Sequence, residues 1–437
     1  MSMFPYLRLA WLNLFLQRRR NALLGSAVAG VTFLLLLMLS FAGGVTQSLT
    51  DAALTISSGH VNIGGFFKVR SDRGQAVVQN ESALRQIATD NIKDLDYMVR
   101  RSRGWGRVIS PSSSLNTGLV GVDPDDLGSM KALRIQTPSP NLAALASGSG
   151  AILFLAQAER LQVGVGDTIT FITEGNGSES NTVDLTVVAL ASDLGFLSNF
   201  SIIVGRNTVQ SLYRYKDNTT GALHLYLKDP AKAPEVATTL RQKLAAAGYT
   251  LLEPDPMPFF MKFRRVVAEE WTGQRLDITV WEEEVSFLFW IVSSLNGLSV
   301  FLTAVLGFII AVGIANTTWM SVRERTREMG TLRAIGMQKG QVLAVFLCEA
   351  TLLGALSSTV GAAFGVGVVW ALDAASLPIT NVNLKAFLMS DSFRFALEGT
   401  EVAATILVIS LLTGCAACLP AWRASRMNPV NALGHAS

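Results

Sequence analysis

Charge is what this sequence has least of. Only 16% of its 437 residues are Asp, Glu, Lys or Arg, half are hydrophobic, and the mean hydropathy is +0.37. A soluble domain carries about 25% charged residues, so an ordinary soluble enzyme fits poorly. A disordered chain, which needs low hydrophobicity and high charge, is excluded. Three cysteines are too few for a disulfide scaffold. The three histidines, His60, His224 and His435, are far apart and none stands in an H-E-x-x-H pair. There is no G-x-x-x-x-G-K-[ST] loop for ATP and no G-x-S-x-G nucleophile turn. No catalytic residue, no metal site and no cofactor is therefore assigned to this chain. A net charge of +3 gives no case for nucleic acid.

The few charges are unevenly placed. Asn21–Thr50, Val285–Val322 and Val402–Trp422 carry none, and Gly340–Leu372 carries only Glu349. A membrane helix needs about 20 apolar residues to cross about 30 Å of hydrocarbon. A charge at its centre costs at least about 2.5–3.5 kcal/mol on insertion scales. Four such runs are hard to bury in any other way. Spans are expected near 22–45, 286–320 (with a stalk at Ser286–Asn296), 342–376 and 400–419.

Orientation follows the basic residues. Arg8, Arg18, Arg19 and Arg20 precede the first span. Arg323, Arg325, Arg327, Arg333 and Lys339 lie between the second and third, and Arg423 and Arg426 follow the fourth. Against these eleven stand only Glu324 and Glu328. Both termini are thus expected in the cytoplasm, with 46–285 and the short loop 377–399 outside. Residues 1–21 read as an amphipathic cytoplasmic helix with Leu7, Ala10, Trp11 and Leu14 on one face. Residues 321–341 read as a cytoplasmic connection and 420–437 as a cytoplasmic tail.

The fold class expected is an α+β membrane protein: four transmembrane helices with a large α+β domain inserted between the first two. Strands are expected at Gly59–Ile63, Thr168–Thr173, Leu185–Leu190, Ser201–Val204, Leu223–Leu227 and Tyr249–Leu252. Helices are expected at Glu81–Thr89 and Pro234–Ala247, with an insertion over about 110–192. Gly164 and Gly166 precede a strand, not a helix, and read as a turn. Cys415 and Cys418 read as small residues on one helix face. Small residues at four-residue steps, Gly307, Ala311, Ala315 and then Ser357, Gly361, Gly365, let helix backbones approach closely in lipid. Four spans make a thin bundle, so a second such chain is an expected partner. Glu349 is expected near the cytoplasmic end of its span, anchored by arginines.

Between the second and third spans the chain reads Glu324-Arg-Thr-Arg-Glu-Met-Gly-Thr-Leu-Arg-Ala-Ile-Gly336. Met329, Leu332 and Ile335 recur every third residue, which predicts a short amphipathic helix capped at Gly336. This stretch, with its Glu328-x-Gly330 and Arg333-Ala334-x-Gly336 pattern, resembles the signature of the FtsX/MacB superfamily of ABC transporter permeases. The likeness extends to Glu349 at the start of the third span, to Gly361 and Gly365, and to the turn Val163–Thr168. It extends also to the tail Pro420-Ala-Trp-Arg-Ala-Ser-Arg-Met-Asn-Pro-Val-Asn-Ala-Leu433. In that family the stretch is a coupling helix. The resemblance implies that Glu324, Arg325, Arg327, Glu328, Gly330, Leu332, Arg333, Ala334 and Gly336 dock on a cytosolic ABC ATPase, which would hold the ATP and magnesium. It also implies that the chain transmits the ATPase's motion to its outer domain. The arginine cluster before the first span and Ser58-Gly-His-Val-Asn-Ile63 most resemble the lipoprotein-releasing (LolC/LolE-type) permeases. That implies a bacterial inner-membrane location, a homo- or heterodimer and a periplasmic lipoprotein carrier. Phe196, Leu197 and Phe200, or Phe259, Phe260 and Phe263, are the candidate contacts for acyl chains. The alternatives are MacB-like export of small molecules or peptides and a membrane-anchored signalling or scaffold protein.

Overall fold

A computed structural model describes residues 8–13, 18–70, 73–130, 132–173 and 180–426. Four helices are long and apolar enough to cross a bilayer: Arg18–Ile56, Phe289–Glu324, Lys339–Ala375 and Gly399–Ser425. The first and fourth outrun the spans read from their apolar windows at both ends, the second only at its C-terminal end and the third only at its N-terminal end, because helical hydrogen bonding continues into polar flanks once the helix is nucleated. Several hydroxyls inside them bond within their own helix. Thr32, Thr318 and Ser410 donate to the carbonyls of Val28, Ile314 and Ile406 at 2.9, 2.8 and 2.6 Å, so these three are not left bare in hydrocarbon. The chain is a multi-pass membrane protein with a mixed α/β domain between its first and second spanning helices, the fold class expected. Residues 8–13 are helical, with Ala10 buried and Trp11 exposed. Leu7, Leu14 and Met427–Leu433 of the tail lie outside the described residues.

The chain divides into two compact units. One holds residues 1–44, 291–377 and 394–437. Its core is Val28, Leu35, Ile310, Ile314, Ala350, Ile409 and Ala417, drawn from all four helices. The four-residue steps are used here, inside one chain. A Cβ on Gly361 would lie 2.3 Å from the carbonyl oxygen of Ala29, so glycine alone permits that approach of the first and third helices. Gly365 faces Leu36 and Phe33, and Gly307 faces Leu412. Ala311 and Ala315 are half-buried.

The other unit, residues 45–290 and 378–393, carries twelve strands among the described residues. They are β1 Val61–Arg70, β2 Arg73–Gln75, β3 Val78–Gln79, β4 Leu95–Ile109, β5 Ser114–Val122 and β6 Gly150–Phe154. Then come β7 Thr168–Thr173, β8 Thr182–Ala191, β9 Ser201–Gly205, β10 Thr219–Thr220, β11 Ala222–Leu227 and β12 Gly273–Val280. Ten join in the order β12-β1-β11-β4-β5-β9-β6-β8-β7, with β2 on β1. β7 also pairs with β4, so β4, β5, β9, β6, β8 and β7 close into a barrel. Its core includes Val108, Leu119, Leu153, Phe171, Leu185 and Val204.

β4 belongs to both halves. Its first part pairs with β11 and its second with β5 and β7. The insertion therefore begins within β4 near Ser102 and runs through β9, rather than spanning 110–192. A strand that continues unbroken between two layers leaves no turn residue to mark the boundary. In the β12-β1-β11 layer, alternation sends Val61, Ile63, Leu276 and Ile278 toward the helices Glu81–Asn91 and Ala233–Ala246. Phe66, Lys68 and Asp277 turn the other way, toward the helix Phe259–Ala268. Tyr249–Leu252 is not a strand. It makes one bridge, Leu251 to Leu276, before Pro254, Pro256 and Pro258 remove the amides a ladder needs.

Candidate functional site: the helix between the second and third spans

The segment singled out in the sequence folds as a helix over Thr326–Ala334, joined to the second spanning helix through Arg325. Arg325 is the pivot. Its amide donates to the Ser321 carbonyl of one helix, and its carbonyl accepts from the Met329 amide of the next, both at 3.0 Å. Its side chain is buried and its Nη1 lies 3.3 Å from Oε2 of Glu349 in the third spanning helix. Asn13 Nδ2 donates to the same oxygen at 3.4 Å. Arg20 pairs with Glu324 at 3.1 Å and donates to Ser321 Oγ. The chain's N-terminal arm and three helices thus meet at one polar node.

Below it lies a small apolar core of Val322, Val342, Phe346, Ala421 and Ala424, with Met329 and Met337 against it. Gly330 is buried against the same side. The helix ends where Gly336 takes φ = +111°, a left-handed conformation that glycine adopts without penalty. The opposite surface is open. Arg327, Glu328, Ala334 and Gly336 are exposed and Arg333 is half-exposed. Ile335 is 79% exposed. The three-residue spacing had put Ile335 on the same apolar face as Met329. The helix stops at Ala334, so Ile335 is the capping residue and swings outward.

The six candidate apolar contacts separate into two groups. Phe259 is buried and stacks on Phe66 with ring centroids 4.5 Å apart, and Phe263 packs against the same core. Those two hold the fold together. Phe196, Phe200 and Phe260 are exposed, and Leu197 is half-buried.

Sequence reading passed over the place where the chain enters and leaves the large domain. Tyr226 donates its hydroxyl to the carbonyls of Leu54 and Ser58 at 2.7 and 3.3 Å. Arg103 donates to the Ser57 carbonyl at 2.9 Å and meets His224 Nε2 at 3.4 Å. On the exit side, buried Glu284 accepts from Thr279 Oγ1 at 2.8 Å and from the Phe259 amide at 3.4 Å. Trp281 donates its amide to the His60 carbonyl at 3.2 Å. Burial lifts the Tyr226 hydroxyl to about 12. The Glu284 carboxyl is pushed up by burial and partly restored by Arg103. Only the periodic burial of β4 and β11 could have signalled this clamp, and that periodicity does not say which polar residues meet.

His224 is held neutral, its pKa lowered well below the usual value by burial first and by Arg103 and Arg101 next. A guanidinium only donates, so Nε2 must accept, which requires a neutral ring. The unfolded chain takes up a proton below about pH 6.5 while the folded ring does not. Stability contributed by this site is therefore full above pH 6.5 and falls as the pH drops, by up to about 1.4 kcal/mol per unit. His224→Asn is expected to flatten that acid slope. Denaturant unfolding of the full chain in detergent between pH 7 and 5 measures the difference, and parallel slopes for both proteins would contradict it.

A cleft of about 570 Å³ is lined by Glu81, Arg85, Arg100, Arg206, Gln210 and Asn218, among others. Its arginines are already engaged: Arg100 and Arg206 grip Asp123 at 2.8 and 2.9 Å.

The family model that matches falls on the C-terminal third. Residues 286–429 match the FtsX-like permease C-terminal family. The macrolide export ATP-binding/permease protein MacB of Chromobacterium violaceum is 32% identical over 133 residues, 30% of this chain and 18% of that protein. An uncharacterised ABC transporter permease of Methanocaldococcus jannaschii is 28% identical over 124 residues, 28% of this chain and 29% of that one. The chain thus matches less than a third of the length of these relatives. Among solved structures, the periplasmic region of MacB from Actinobacillus actinomycetemcomitans aligns with 54% of this chain and 94% of its own at 10% identity and a TM-score of 0.32. The extracellular domain of the noncanonic ABC-type transporter YknZ from Gram-positive bacteria aligns with 49% and 98% at 12% identity and a TM-score of 0.30. Residues 286–429 thus carry an FtsX-like permease C-terminal domain, in keeping with the resemblance of this chain's motifs to the FtsX/MacB superfamily of ABC transporter permeases.

Proposed function

We propose that this chain is the non-catalytic permease subunit of an ABC transporter, driven by a separate cytosolic ATPase that holds the ATP and magnesium. The observation that carries the reading is the surface of Thr326–Ala334. A short helix is fixed rigidly to two spanning helices by Arg325 and Glu349. It turns a large apolar side chain, Ile335, and the charges of Arg327 and Glu328 to solvent. An exposed apolar residue ringed by charge suits a protein partner. The eleven basic residues of the flanking segments support a cytoplasmic position for this helix and both termini, with the large domain outside.

Closure of two ATPases would push on the helix, and the unbroken rod Phe289–Glu324 would carry the displacement outward. At its far end the Glu284 contacts would deliver it to the sheet, while the Arg103 and Tyr226 contacts would tie in the end of the first spanning helix. Packed interfaces switch between discrete arrangements, which makes such transmission efficient. The lipid-facing rows of the spans leave room for a second permease chain, identical or related. Lipoprotein release toward a periplasmic carrier is the substrate reading, supported by the basic arm and the 58–63 stretch. The MacB relatives, named for macrolide export, make export of small molecules the second reading.

Ile335→Asp is expected to abolish co-purification of a P-loop ATPase with the tagged chain, while expression and membrane insertion stay normal. Equal ATPase recovery with both chains would overturn the docking role. Retention of acylated proteins in the inner membrane of a depleted strain, against loss of macrolide resistance, separates the two substrate readings.

A further inference from the structure

Two clusters of aromatic rings lie on the large unit, brought together where the helix Val382–Leu388 packs on the helix Gly195–Asn199. Phe196 lies 4.9 Å from Phe200 and 6.1 Å from Phe287 between ring centroids. Phe287 in turn meets Phe260 at 5.6 Å, edge to face. Trp290 meets Phe387 at 6.0 Å. All except half-buried Phe287 are exposed. We propose that this surface beds in the headgroup layer of the bilayer, in the leaflet where the second spanning helix enters it.

Three observations select lipid as the occupant. Trp290 is the second residue of the spanning helix Phe289–Glu324, so chain connectivity holds that end of the patch at the membrane edge, where aromatic side chains concentrate. Phe387 belongs to residues 378–393, which are bounded on both sides by spanning helices and pack in the same unit. The helix Phe259–Ala268 has the sidedness of an interfacial helix. Lys262 and Val266 are buried, whereas Phe260 and Arg264, one turn apart, are both exposed, an apolar ring beside a cation suited to phosphate. The inference goes beyond transport and rests only on the four spans. Its consequence is that motion of the spanning rod tilts a domain resting on lipid, not one free in water.

The test uses the full chain in nanodiscs of phosphatidylethanolamine and phosphatidylglycerol, with Cys348, Cys415 and Cys418 replaced by alanine. A single cysteine carries an environment-sensitive fluorophore, either at Met261, exposed beside Phe260, or at Ala245. Ala245 lies on the helix Ala233–Ala246, which packs on the opposite face of the sheet. Nitroxide on the lipid headgroup should quench the label at 261 several-fold more than the label at 245, and more than a nitroxide deep in the acyl chain does. Adding Phe196→Ser and Phe260→Ser should lower quenching at 261 to the level at 245. Equal quenching at both positions, or quenching untouched by the serines, overturns the proposal. So does quenching that appears only when an acylated peptide is added, which would make the patch a substrate port. Shielding without quenching, with cross-links between labels of two copies, would make it a subunit interface instead.

Discussion

Lys262→Met is expected to destabilise the large domain by about 3–5 kcal/mol, the usual cost of leaving one member of a buried ion pair alone. Lys262 Nζ lies 3.1 and 2.9 Å from the two carboxylate oxygens of Asp277, and the two side chains are 1% and 0% exposed. Removing the ammonium strands a carboxylate that no water reaches. The double variant Lys262→Met/Asp277→Leu removes both charges and is expected to recover most of the loss, since an apolar pair of similar volume costs no desolvation. In a domain of this size the single variant should lower the melting temperature by on the order of 10 °C. Thermal unfolding of the full-length protein in detergent, read as protease resistance of the large domain, measures it. A single variant as stable as the parent would overturn this reading of the pair. The pair matters because it fixes the helix Phe259–Ala268 to β12. Lys68 secures the other end of that helix, donating to the carbonyls of Val266, Val267 and Glu269 at 3.1, 3.1 and 2.5 Å.

This pair was invisible in the sequence. Lys262 stands in Phe-Phe-Met-Lys-Phe-Arg-Arg among residues that read equally well as a solvated face, and Asp277 is 15 residues away on a strand. What the sequence does carry is local. An uncharged run longer than a bilayer is thick announces a span without reference to any other part of the chain. Thr168–Thr173 alternates and becomes β7 with the same bounds. Pro234 and Gly248 frame the helix Ala233–Ala246. What it does not carry is pairing at a distance. Closure of the barrel depends on Gly106–Ile109 meeting Thr170–Thr173 across some sixty residues, and no periodicity encodes that choice. Helix phase was the other loss. Phe259, Phe260 and Phe263 are equivalent as letters, yet a rotation of about 100° per residue buries the first and exposes the second. The motif between the spans was legible by resemblance, whereas the outward turn of Ile335 depended on where that helix ends.

Breaking the Arg325–Glu349 pair is expected to separate attachment of the ATPase from transmission of its movement. Glu349→Gln keeps an acceptor for Asn13 but leaves the Arg325 guanidinium without its counter-charge in a nearly buried site. The local penalty is about 3 kcal/mol, paid where one spanning helix ends and the short helix begins. The proposed docking face, Arg327, Glu328 and Ile335, lies on the open side and is not altered. The Gln variant should therefore still recover the ATPase on purification, whereas ATP-dependent activity falls steeply, because the handle can now rotate without moving the third helix. Arg325→Met should behave alike, and the exchange Arg325→Glu/Glu349→Arg should restore part of the activity by re-forming the pair in reverse. A proton-relay role for Glu349 predicts a different pattern: the exchange would be as inactive as Glu349→Gln, and activity would follow the pH. An anchor needs opposite charges at two positions, while a relay needs a carboxyl at one. The exchange variant decides between them, since it keeps the charges and moves the carboxyl to the other helix.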